Sequence, residues 1–247
     1  MARKTRTPGL PDALANVESA GERMAAWVAA NARAVLIGAG VVLATAAALG
    51  GYRSWHEGRE DTASSALERV RGAYLEAMGA DPGSLVVPEL ANPSAARAIR
   101  VEYADRFREV AVEQAGTVAG TLAQLEAGDL FEASGQPERA VEAWREAAAT
   151  APRNSALRGV VLQRVATAEE EAGLWAEAGA THEAAAQIRA FPPRYWALLD
   201  AARCFAQAGE VERARELFAR VDAEAPDLRV PDHLRALARE LRAGGSP

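Results

Sequence analysis

One lysine (Lys4), one cysteine (Cys204) and an aromatic content of only 6% are the scarcities of this 247-residue chain. A lone cysteine excludes an intramolecular disulfide framework and does not indicate a redox compartment. Lying between Arg203 and Phe205 in a predicted helix, it reads as a small buried filler. Clusters of β-branched residues bounded by turn residues are scarce, which argues against sheets. A net charge of −6 argues against a nucleic-acid binder. His56, His182 and His233 are scattered, and none has a cysteine, aspartate or second histidine at metal-ligand spacing. Neither a phosphate-cradling glycine loop nor a G-x-S-x-G elbow is present. These absences point away from an enzyme, a cofactor, a metal or a small-molecule substrate. The acid run Glu169–Glu171 reads as a solvated helix face, and His182 as a packed side chain.

What is abundant is Ala, Leu, Glu and Arg, a helix-forming composition, and the fold class expected is all-α. Residues 1–33 read as a basic tail and a short helix. Met1–Gly9 carries Arg3, Lys4 and Arg6 without an acid, and Asp12 is placed to cap a helix over Ala13–Gly21. Ala34–Tyr52 then runs nineteen residues without a charge, close to the ~30 Å of a bilayer core at about 1.5 Å per residue. Trp27 and Trp55 bracket the run twenty-eight residues apart, a helical distance of about 42 Å that matches the spacing of headgroup layers. Trp27, Arg33, Tyr52 and Trp55 are therefore the expected membrane-interface anchors. Five basic residues precede the run and two, Arg53 and Arg59, closely follow it, which leaves the tail in the cytoplasm and puts the carboxyl-terminal bulk across the membrane. A cleavable signal ending at Ala46-Ala47-Ala48 and a helix buried in a soluble core are the alternatives. The long polar leader and the bracketing tryptophans favour a retained anchor. Gly40, Ala44 and Ala48 recur every four residues, a smooth strip suited to another membrane helix.

Residues 53–115 read as a stalk helix over Ser54–Met78, an exposed and mobile loop Gly79–Pro93 with three prolines, and a helix Ser94–Gln114. The clearest pattern follows. Counted from Thr121, Gly128 and Phe131 fall at places eight and eleven, and Ala140, Trp144, Ala147 and Pro152 at twenty, twenty-four, twenty-seven and thirty-two. Small residues at those places let two antiparallel helices approach, aromatics fill the wedge, and the proline stops the second helix. The unit resembles a tetratricopeptide repeat. It returns at Gly173–Ala178 with Ala185, and again with Ala202, Phe205, Gly209, Ala214, Phe218 and Pro226. Turn glycines Gly135, Gly173 and Gly209 stand thirty-eight and thirty-six apart, and lengthening of the helix before Gly173 by about one turn accommodates the excess. Three such repeats fill 116–230, the stalk and the helix after the loop form a degenerate earlier one, and 231–247 is a capping helix and tail. The expected architecture is thus a transmembrane helix at 34–52 followed by an α-solenoid.

In such a stack, first-helix places two, five, nine and twelve line the inner face. Here they are Leu122, Leu125, Asp129 and Glu132, then Val160, Gln163, Thr167 and Glu170, then Trp196, Leu199, Arg203 and Ala206. The Lys, Asn and Arg pattern of repeats that clamp a peptide carboxyl-terminus is missing. Leu122, Leu125, Trp196 and Leu199 suggest an apolar contact with a protein segment, unless some of them pack between repeats. From Arg53 onward the chain has a net charge of −8, which should keep it off anionic lipid.

The basic tail, single anchor with Tyr52 and Trp55, stalk, degenerate first repeat, Gly116-Thr117 and Gly128-Asp129-Leu130-Phe131 together resemble the YfgM-like family of ancillary subunits of the SecYEG translocon. That resemblance implies a bacterial inner-membrane protein whose periplasmic domain works beside the translocon and periplasmic chaperones or prolyl isomerases. A second reading is an assembly factor for cytochrome maturation or cell-wall machinery, with one fixed partner. A third is an exported solute- or glycan-binding protein, which would require signal cleavage and an aromatic pocket.

Overall fold

The computed structural model describes residues 21–81, 84 and 86–244, and every regular element among them is a helix. The expected tail Met1–Gly9 and, but for Gly21, the helix expected over Ala13–Gly21 fall outside the described residues. The chain divides into two compact units, Met1–Glu57 and Gly58–Pro247.

In the first unit residues 21–30 are helical, a turn follows at Asn31, and a 46-residue helix α1 runs over Ala32–Ala77 into the second unit. The Asn31 amide donates to the Trp27 carbonyl at 2.8 Å, and the Thr45 hydroxyl to Val41 O at 2.8 Å, so each polar side chain is satisfied on its own helix. Leu36, Ile37, Val41, Val42, Leu43 and Leu49 are between 59% and 72% exposed. α1 is long and apolar enough to cross a membrane, and none of its most apolar eighteen-residue stretch is buried. A helix buried in a soluble core does not fit that observation.

Among the described residues, the second unit holds the end of α1 and eight more helices, α2 Pro93–Glu113, α3 Val118–Ala133, α4 Pro137–Thr150, α5 Ala156–Glu171, α6 Trp175–Ala186, α7 Arg194–Gln207, α8 Val211–Glu224 and α9 Asp232–Arg242. Their ends are written in the sequence. Asn92 Oδ1 accepts from the Ser94 and Ala95 amides at 3.0 and 3.3 Å, with Pro93 opening α2. Thr117 Oγ1 accepts from Gly120 N at 2.9 Å, and Ser155 Oγ from Leu157 N at 3.2 Å. Gly135 has φ +77°, which lets Gln136 N close back on Phe131 O at 2.9 Å; Gly173 and Gly209 repeat that turn.

Consecutive helices pack as hairpins α3–α4, α5–α6 and α7–α8, each also packed on the next. Close approach follows from the small residues. A methyl group on Gly128 would lie 2.3 Å from Trp144 Nε1, and one on Gly179 2.9 Å from the Phe205 ring. The extra residues before Gly173 do not make a whole turn in one helix. α5 has 16 residues against 14 in α7, and α4 has 14 against 12 in α6.

Ahead of the hairpins, Ala63, Leu67, Tyr74 and Met78 join Tyr103, Phe107 and Phe131 in one core. The Tyr74 and Tyr103 rings stand 5.5 Å apart, Glu60 accepts from Val118 N at 3.1 Å, and Arg71 pairs with Glu126. At the far end α9 buries Leu234 and Leu241 and exposes Arg235, Arg239 and Glu240.

Candidate functional site

Hairpins α3–α4 and α7–α8 share an internal plan. Phe131 lies under the Arg139 guanidinium at 3.9 Å, and Phe205 under Arg213 at 3.8 Å, both cation–π contacts. The middle hairpin departs from it. Glu169 stands where the phenylalanines stand, and His182 where Trp144 and Phe218 stand. Both side chains are buried, and a buried polar group is tolerated when it is hydrogen-bonded. Glu169 accepts from Arg145 Nη2 at 2.9 Å and from Thr181 Oγ1 at 2.7 Å. The expectation of a solvated acid run is therefore corrected, since only Glu171 of the three is exposed.

The next residue, Glu170, gathers three donors. His182 Nε2 donates to Oε1 at 2.8 Å, Arg203 Nη2 reaches both carboxylate oxygens at 2.7 Å, and Cys204 Sγ lies 3.3 Å from Oε1. Burial alone would raise the Glu170 pKa; the bonds from Arg203 and His182 outweigh it and hold the carboxyl below its usual range. An ionised Glu170 fixes the histidine proton on Nε2 and leaves buried Nδ1 without a partner. Burial and the Glu170 charge push the Cys204 thiol up to about 12, so it stands as a protonated donor. Burial raises Asp200 against the lowering influence of His182 and Arg203.

Glu170 and His182 floor an open cleft of about 480 Å³, walled by Val160, Gln163, Arg164 and Thr167 from α5 and by Asp200 and Arg203 from α7. Val160, Gln163, Thr167, Glu170 and Arg203, five of the residues expected from repeat register, thus meet in one place. The others do not line it. Leu122 and Leu125 are half-buried against the core. Leu199 is 1% exposed and offers no free surface there, because α8 and α9 pack over it; it touches only the floor of a separate cleft with Phe218 and Leu234. Asp129 accepts from Trp144 Nε1 at 3.1 Å and faces Arg164 at 3.8 Å. Glu132 is exposed, and Trp196 is 39% exposed. In the first unit Trp27, Arg33, Tyr52 and Trp55 are all exposed, and the Tyr52 and Trp55 rings meet the His56 ring edge-on at 4.5 and 5.1 Å. Sequence reasoning missed Asp200, Cys204 and the His182 bond; the one available signal was a histidine at a place otherwise aromatic.

The tetratricopeptide-repeat family pattern matches residues 169–240. The fold is that of tetratricopeptide repeats. Such repeats are protein-interaction scaffolds. Two crystal structures of nearly identical TPR-like repeats, described as those of a Podosopora anserina kinesin light chain, are similar to this chain. One is 23% identical over 62% of this chain and 85% of that chain with a TM-score of 0.45, the other 22% identical over 63% and 87% with a TM-score of 0.42. No curated protein matches the chain.

Proposed function

We propose that this protein is a single-pass, membrane-anchored, non-enzymatic scaffold that holds protein partners against its repeats. Its tail lies in the bacterial cytoplasm and its repeats in the periplasm, beside the Sec translocon and the chaperones or prolyl isomerases that receive exported chains. The observation that carries the anchor is the set of apolar side chains left bare between Leu36 and Leu49, in a run without a charge. Lipid covers such a surface at no cost in backbone hydrogen bonds, because a helix satisfies its own. Tethering raises the local concentration of the repeats at the membrane, which lets individually weak contacts count. The excess of basic residues before the run supports the orientation, and the likeness to YfgM-like translocon subunits supports the compartment.

The cleft between α5 and α7 is polar and already ion-paired, a lining suited to selecting one partner more than to accepting many. That favours, as a second reading, an assembly factor with a single fixed partner in cytochrome maturation or cell-wall synthesis. Photocrosslinkers at Thr167 and Trp196 in intact cells test both. Adducts with translocon subunits, periplasmic folding factors and varied exported chains are expected. A single adduct of one mass would establish the fixed-partner reading, and recovery of the protein in the soluble fraction after alkaline extraction would overturn the anchor.

A further inference from the structure

The Glu170 cluster brings together a carboxylate, an imidazole and a thiol, the three side-chain types that ligate zinc. Glu170 Oε1, His182 Nε2 and Cys204 Sγ lie within 4.8 Å of one another, with Nε2 at 2.8 Å and Sγ at 3.3 Å from Oε1. A tetrahedral zinc ion bound at 2.0–2.3 Å requires its ligand atoms about 3.3–3.6 Å apart. The thiol and carboxylate already stand at that distance, the imidazole has to draw back from Oε1 by about half an ångström, and Nε2 and Sγ, within 4.8 Å of one another, have to settle about 3.5 Å apart. The three ligands sit on three different helices, α5, α6 and α7, and helices hold ligands more firmly than loops do. Imidazole and thiolate together select a zinc-class ion over calcium or magnesium, which take oxygen ligands.

We propose that Glu170, His182 and Cys204 bind one zinc-class divalent ion that ties the second hairpin to the third. The chemistry balances without a redox partner. Cys204 loses its thiol proton to solvent, and His182 gives up the Nε2 proton and takes one on Nδ1, so one proton leaves per ion bound. Arg203 is the opposing charge. It reaches both Glu170 oxygens, and metal binding confines it to Oε2, with Asp200 3.9 Å away as its second carboxylate. That repulsion, and an Nδ1 hydrogen without an acceptor, keep the affinity below that of a four-ligand structural site. Glu170 and His182 both line the cleft, so the fourth coordination position faces water.

The test is titration of the purified full-length protein in detergent with cobalt(II), and separately with zinc(II) by calorimetry. Expected are one ion per chain, a near-ultraviolet thiolate charge-transfer band, release of about one proton per ion, and a melting temperature raised by about 5–10 °C at a hundredfold excess over Kd. Cys204→Ser should abolish the charge-transfer band, and His182→Gln should weaken binding at least tenfold, each with an unchanged far-ultraviolet spectrum. If either variant unfolds, the charge-transfer band and proton count of the parent protein still decide. Absence of that band, or Cys204→Ser binding as tightly as the parent, overturns the site.

Discussion

At the scale of single residues, the hairpins depend on side chains that are not there. Gly128→Ala would press a methyl group into the Trp144 indole, 2.4 Å from Cδ1, and the indole is held by its bond to Asp129. Overpacking of this kind costs about 1–3 kcal/mol, so melting should fall by about 3–10 °C. Asp129 itself yields a pH prediction. Burial raises its pKa against the pull of Arg164 and the Trp144 donor, so the folded state binds the proton more tightly than the unfolded one. Stability from this group therefore declines as pH rises from its ordinary value through the raised one. Asp129→Asn keeps the acceptor for the indole and removes the charge. It should melt about 1–2 °C above the parent at pH 7, a small effect because the carboxylate is partly solvated, and the difference should vanish below about pH 4. Gly128, Phe131, Ala140 and Trp144 were readable in the sequence because their spacing is a steric code. The Glu170, His182 and Cys204 cluster was not, since it needs the rotation of three helices relative to one another, and a buried Glu169 is written with the same letter as a solvated one.

At the scale of elements, α1 is two things in one helix. Its forty-six residues span about 69 Å, more than twice a bilayer core, and its character changes along that length. Between Leu36 and Leu49 its large apolar side chains are bare, whereas Ala63, Leu67 and Tyr74 are buried. Hydropathy exposed the first half directly; the burial of the second showed only as helical spacing among charges. An arginine near the middle of a spanning helix costs about 2.5–3.5 kcal/mol, a factor of roughly one hundred in insertion. Val42→Arg should therefore shift most of the protein into the alkaline-extractable fraction, while Thr62→Arg, beyond the apolar run, should leave it in the membrane pellet. Equal retention of both variants would mean that α1 does not cross the bilayer.

At the scale of the whole molecule, stability in a repeat array comes from neighbours, since each hairpin covers the face of the next. Sequence spacing alone reveals the three hairpins but not how firmly the degenerate segment ahead of them is joined. The structure answers this with specific contacts. Arg59 donates to Ala115 O at 3.0 Å, Glu60 holds the amino-terminus of α3, and Arg71 reaches Glu126. Ala63, Leu67 and Phe107 lie in the same core as Ala123 and Phe131. A fragment beginning at Gly58 keeps all of these and should be soluble, helical and as heat-stable as the intact chain. One beginning at Gly116 keeps every recognisable repeat yet strips the cover from Ala119, Ala123 and Ala127, now 3% exposed or less. Uncovering that face removes roughly 25 cal/mol for each Å² of apolar surface. The shorter fragment should melt at least 10 °C lower or aggregate, and calorimetry of the two side by side reads the difference. Equal melting would mean that the three hairpins are self-sufficient and that α2 is only a spacer.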